Sequence, residues 1–175
     1  MVQSAICIRS ISPSESKYAE EGCKVINGAY RSEGGWTSEK DMVREPRVSV
    51  QDVENLIRNS GNPNTLIFAF EENHVVGTAL LQPSLEKSGE VEIALYCVSV
   101  NHQSRGIGGK LLRHSIEEVK KLGFRTAYLK VLENRLDILA FYAKYGFQDS
   151  GERLPYFWPE RLMVEARFAI LKKIL

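Results

Sequence analysis

The chain has 175 residues, 43% hydrophobic and 26% charged, which suits one globular domain with a substantial core and excludes a disordered or collagen-like class. Its formal net charge of +1 gives no general electrostatic case for binding nucleic acid or an anionic membrane, so any anion site has to be local. Cys7, Cys23 and Cys97 are odd in number and widely spaced, and His74, His102 and His114 share no ligand spacing, so neither a disulfide framework nor a metal site is expected. The amino terminus lacks a basic region followed by a long apolar stretch, and no apolar run approaches the ~20 residues of a membrane span. The expected setting is cytoplasmic, with nuclear access left open.

Residues 5–12, AICIRSIS, alternate as a half-buried strand does. Pro13 then opens a helical stretch with Tyr18, Val25, Ile26 and Tyr30 on an apolar stripe, interrupted by the adjacent glycines of YRSEGGW (30–36). Ser49 is placed to cap a second helix, VQDVENLIRN, whose Val53, Leu56 and Ile57 share a face. GNPN (61–64) marks a turn, and TLIFAF and VVGTALLQP read as a hairpin. SGEVEIALYCVSV is a further strand, apolar on both faces from Ile93, and is expected near the sheet centre. Ile107, Leu111, Leu112, Ile116, Val119 and Leu122 then follow the helical period until Gly123. TAYLKVL (126–132) is a strand, and LDILAFYAKYGF holds a short helix ending at Gly146. Two strands, around Phe147–Arg153 and Ala166–Lys172, flank the loop LPYFWPERLM. With no repeat or linker, residues 1–175 form one mixed α/β domain in this reading.

Between the central strand and the third helix lies NHQSRGIGGK (101–110). As a Walker A loop it has Ser104 where the first glycine belongs and Leu111 where the magnesium hydroxyl belongs. As a dinucleotide fingerprint starting at Gly106 it has Leu111 in place of the third glycine. What remains is Gln103-x-x-Gly106-x-Gly108 ahead of an amphipathic helix, together with EIALYCV (92–98) before it and AFYAKYGF (140–147) after it. In that order these segments resemble the GNAT superfamily of acyl-CoA N-acyltransferases. The resemblance implies a central, mixed but mostly antiparallel sheet of about six to seven strands, flanked by about four helices and splayed at an acetyl-CoA slot.

The physical case for an anion there is that a helix N-terminus offers unpaired N–H groups and a partial positive charge. Gly106, Gly108 and Gly109 remove Cβ atoms from the approach, and Arg105, Lys110 and Arg113 add positive charge. By resemblance the ligand is the pyrophosphate of acetyl-CoA, held through Gln103, Ser104, Arg105, Gly106, Ile107, Gly108, Gly109 and Lys110. Val98 and Val100 then lie along the pantetheine, and Asn134 stands near the position of a pantetheine-binding asparagine. The resemblance also places the acyl carbonyl at the Tyr96 N–H, makes Tyr142 the acid for the thiolate, and makes Glu92 the candidate base. Period-two alternation sets Glu92, Ala94, Tyr96 and Val98 on one face. Glu92 and Tyr96 are nevertheless about 13 Å apart on a straight strand, so a water relay is the expected route over direct abstraction. Tyr30, Arg31, Trp36 and Tyr156 are the candidates to line the acceptor side, Arg31 as partner of a substrate carboxylate. The expected activity is direct acetyl transfer to the primary amine of a small molecule. A protein or peptide acetyltransferase and a catalytically silent coenzyme A-binding module are the alternatives, and a homodimer is left open.

Overall fold

The computed structural model describes residues 4–175. Strands β1 (Ile6–Ser10), β2 (Thr65–Glu71), β3 (His74–Pro83), β4 (Glu90–Val98), β5 (Thr126–Leu132), β6 (Gln148–Pro155) and β7 (Arg167–Ile174) form one sheet in the order β1-β2-β3-β4-β5-β7-β6. Every neighbouring pair is antiparallel except β4 and β5. Helices α1 (Ala19–Arg31), α2 (Val50–Arg58), α3 (Ile107–Lys121) and α4 (Leu136–Lys144) complete the mixed α/β architecture expected above.

The apolar run of β2 reflects burial on both faces. Leu66, Phe68 and Phe70 pack with Ile26, Ala29, Val53 and Ile57 of α1 and α2. Ile67 belongs to the opposite cluster, with Leu111, Leu112, Ile116 and Val119 of α3 and Tyr142 of α4. Ser49 caps α2 as anticipated. Its hydroxyl oxygen accepts from the Asp52 N–H at 3.1 Å, while the Asp52 carboxylate accepts from the Ser49 N–H at 2.7 Å. Helix α4 stops at Gly146, whose φ of 84° lets the Phe147 N–H reach back to the Tyr142 carbonyl at 3.2 Å. A third cluster, including Val43, Leu132, Tyr156 and Phe168, anchors the segment between α1 and α2 against the second half of the sheet. All three cysteines are free thiols. Among the described residues no helix is long and apolar enough to cross a membrane.

Candidate active site

The parallel pair β4–β5 is joined only at Glu90–Thr126, Val91–Ala127 and Glu92–Tyr128, and beyond Glu92 the two strands part. On its other side β4 carries a bulge. Thr78 pairs with Cys97 and Leu80 with Ala94, so Leu95 and Tyr96 together oppose Ala79. Leu95 takes the left-handed conformation at φ 45°, which costs a branched residue roughly 1–2 kcal/mol. The Thr78 hydroxyl donates to the Leu95 carbonyl at 2.6 Å and the Tyr30 hydroxyl to the Tyr96 carbonyl at 3.1 Å, which holds the bulge open.

The bulge overturns the expected alternation. Val91 and Ile93, then Tyr96, pack in the α3 cluster, and Val98 packs with Ile107, whereas Cys97 lies in the α1–α2 cluster with Ala94 and Leu95 against it. Glu92 and Tyr96 are therefore on opposite faces, because one extra residue resets a period of two. Glu92 is buried and ion-paired with Lys130 at 2.8 Å.

Helix α3 begins at Gly106, whose φ of 76° turns the chain sharply into the helix, and no side chain caps the first turn. The first backbone bond there is Lys110 N–H to the Gly106 carbonyl at 3.2 Å, leaving the N–H groups of Ile107, Gly108 and Gly109 as free donors. Gly108 and Gly109 border a cavity of about 400 Å³ that is also lined by Trp36, Tyr96, Val98, Gln103, Ser104, Gly106, Arg113, Phe141 and Tyr145, among others. A Cβ on Gly108 would stand 3.0 Å from the Tyr96 hydroxyl, which itself donates to the Gly108 carbonyl at 2.7 Å. Uncapped donors, a partial positive charge and a surface stripped of Cβ atoms fit a diphosphate.

The other expected ligands are sorted by their partners. Gln103 ties the fold together: its amide donates to the Val98 carbonyl at 3.0 Å, and its oxygen accepts from the Trp36 N–H at 2.9 Å. Arg105 is turned away and paired with Glu71, so its charge is engaged before any ligand arrives. Ile107 is buried and offers only its N–H, and Lys110 is exposed outside the cavity. Val100 packs against the backbone turn at Gly35, which removes it from the slot, while Val98 lines it. Asn134 is exposed, donates to the Glu165 carbonyl at 3.2 Å, and does not line the cavity.

Tyr142 is buried, with its ring 5.8 Å from that of Tyr96. Burial pushes its phenol well above the usual tyrosine value, so it stays protonated. A smaller cavity of about 50 Å³ is lined by Tyr30, Glu39, Arg47, Glu92, Tyr96 and Tyr142, among others. Of the four expected acceptor-side residues, only Tyr30 reaches it. Arg31 is held by Glu39 at 3.2 Å and by the Glu45 carbonyl at 2.5 Å, so it has no free edge for a substrate. Trp36 stacks edge-on against Phe141 at 4.7 Å and belongs to the larger cavity. Tyr156 is core, 5.1 Å from Phe168. Arg47, Phe141 and Tyr145 went unnoticed in the sequence: the last two looked like packing aromatics, and Arg47 sits in a stretch without a motif.

An uncapped helix N-terminus beside a parted β4–β5 pair makes a slot fitted to a phosphate-bearing ligand. The model of the acetyltransferase (GNAT) family matches residues 28–147, and the chain belongs to that family. It is 29% identical over 89 residues to a spermine/spermidine N(1)-acetyltransferase of Bacillus subtilis, covering 47% of this chain and 59% of the relative. It is 32% identical over 79 residues to an Escherichia coli [ribosomal protein bS18]-alanine N-acetyltransferase, covering 45% and 51%. The match thus spans little more than half of either curated relative. In fold it resembles a ribosomal-protein-alanine N-acetyltransferase of Brucella melitensis (TM-score 0.74, 19% identity, 97% and 99% of the two chains covered). A PaiA N-acetyltransferase of Thermoplasma acidophilum in complex with coenzyme A is similar (TM-score 0.70, 20% identity, 98% and 99% covered).

Proposed function

We propose that the protein transfers an acetyl group from acetyl-CoA to the primary amine of a small molecule, both substrates being bound at once. The observation that carries this reading is that the larger and the smaller cavity both reach Tyr96, beyond the point where β4 and β5 part. An amine entering one cavity meets a thioester held in the other.

Bound acetyl-CoA supplies the activated acyl group. The N–H groups of Ile107, Gly108 and Gly109 hold its diphosphate, and Val98 lies along the pantetheine. Backbone N–H at the bulge, Tyr96 foremost, faces the thioester oxygen, where pre-aimed donors stabilise developing negative charge. The N–C bond forms as the C–S bond breaks. Tyr142 gives its proton to the departing sulfur. The proton lost by the amine leaves by way of solvent past Glu92 once that carboxylate loosens from Lys130, and solvent restores the phenol. No acyl-enzyme is required.

Tyr142→Phe tests the assignment. Free thiol should appear about 100-fold more slowly, with coenzyme A binding unchanged by calorimetry. A parental rate under conditions where chemistry limits turnover would remove Tyr142 from its role. Transfer to a polypeptide amino terminus is a second reading, favoured by a cleft of about 320 Å³ that adjoins the small cavity through Glu92 and Lys130. Turnover of peptides in place of small amines would establish it. A silent coenzyme A-binding module would bind coenzyme A and release no thiol with any amine.

A further inference from the structure

The small cavity is lined by four charged side chains, Glu39, Arg47, Glu92 and Lys130. Three of them are already matched: Glu39 pairs with Arg31 at 3.2 Å, and Glu92 pairs with Lys130 at 2.8 Å. Arg47 is not. Among the described residues its guanidinium has no carboxylate within ion-pair reach, and its one hydrogen bond is a long contact of 3.4 Å to the Tyr156 hydroxyl. The Tyr30 ring lies at 5.3 Å and the Phe157 ring at 5.9 Å, and Glu39, already paired with Arg31, acts on it only from beyond ion-pair distance. Rings satisfy the faces of a guanidinium, so of its five N–H donors, which lie in the plane, only the one near Tyr156 has an acceptor.

The position is also rigid. Asn27 on α1 accepts from the Arg47 N–H at 2.8 Å and from the Val48 N–H at 3.1 Å, and donates to the Val48 carbonyl at 2.8 Å. The ring beneath the guanidinium is that of Tyr30, whose hydroxyl reaches the Tyr96 carbonyl. A permanently charged, bidentate donor thus shares one small space with the backbone around Tyr96.

We propose that the acyl acceptor is an α-amino acid, its carboxylate paired with Arg47 and its amine presented to the opening at Tyr96. The inference rests on the acetyl-transfer reading above and names its acceptor class. The reaction keeps the balance given there: nitrogen gains the acyl carbon and loses one proton, and sulfur leaves with one. A cavity of about 50 Å³ holds little more than the amine and carboxylate, and the side chain extends into the adjoining cleft through Glu92 and Lys130. A polyamine suits the site poorly, because both carboxylates of the cavity are matched and the unmatched charge is positive. A peptide amino terminus has no carboxylate beside its amine, which would leave Arg47 bare.

The test compares free amino acids with their carboxamides and with the corresponding decarboxylated amines, reading thiol release from acetyl-CoA, with spermidine and a short peptide alongside. The parent should favour free acids by about ten- to a hundredfold in kcat/KM, the scale of a charge-assisted pair, chiefly through KM. Arg47→Gln should bring the acid-to-amide ratio close to one while calorimetry shows coenzyme A binding intact. Arg47→Lys, which keeps the charge and loses the fork, should fall between. Equal use of acids and amides by the parent, an acid preference surviving in Arg47→Gln, or preference for spermidine or the peptide overturns the proposal and leaves acetyl transfer standing. No thiol release with any amine, coenzyme A still binding, overturns both.

Discussion

Gln103 gives the sharpest test of how the slot is built. If it joins the Trp36 N–H to the Val98 carbonyl and is not itself a phosphate ligand, its removal is first a stability event. Gln103→Ala deletes two neutral hydrogen bonds, each worth about 1 kcal/mol net, so about 2 kcal/mol should be lost. For a chain of this size that lowers Tm by roughly 4–8 °C. Gln103→Glu separates the two bonds. It keeps the acceptor for Trp36, loses the donor, and sets a carboxylate against the oxygen of buried Val98. Leaving a buried carbonyl unmatched costs ~1–3 kcal/mol, so the glutamate should be no more stable than the alanine. Urea melts followed by circular dichroism supply the numbers, and coenzyme A calorimetry should show both variants within about tenfold of the parent, since the α3 donors survive. A Gln103→Glu protein as stable as the parent would refute the bridging account.

Gly108→Ala sets a Cβ 3.0 Å from the Tyr96 hydroxyl. Coenzyme A affinity should drop at least about tenfold, the weight of one charge-assisted bond, with the melting temperature almost unmoved. Arg105→Ala should leave that affinity within about twofold at moderate salt, because Glu71 already neutralises the guanidinium. A larger fall would show that Arg105 swings round to the ligand. Cys97 predicts an alkaline response. Burial pushes its thiol up to about 12, so the folded state keeps a proton that the unfolded state releases near pH 8.5. That stability is complete below the unfolded value and is lost at about 1.4 kcal/mol per pH unit as pH rises toward 12. Cys97→Ala should flatten the curve between pH 8.5 and 10, above which the buried phenols of Tyr96 and Tyr142 add losses of the same sign. An unchanged slope in that range would count against the assignment.

Periodicity and turn chemistry are local, and what depends on them was legible: the order of helices and strands, the Ser49 cap, the stop at Gly146 and the glycine loop ahead of α3. The choices among cations were not. Arg31 and Arg105 look as available in the sequence as Arg47, yet Glu39 and the distant Glu71 occupy the first two, and only the fold shows which guanidinium is left over. Trp36 beside Phe141 and Tyr156 against Phe168 are hidden in the sequence for the same reason: an aromatic residue in a loop carries no address until the loop is packed. The bulge was hidden because its left-handed residue is Leu95. A glycine there would have signalled it.

That extra residue makes the length of β4 matter more than its composition. Removing Leu95 would set Tyr96 opposite Ala79 in unbroken register with β3, its ring still on the α3 face between Ala94 and Cys97, and would draw the backbone groups that the bulge frees into the ladder. Substitutions along this stretch should therefore be tolerated far better than the loss of a single codon, which would leave a well-paired strand and a sealed passage.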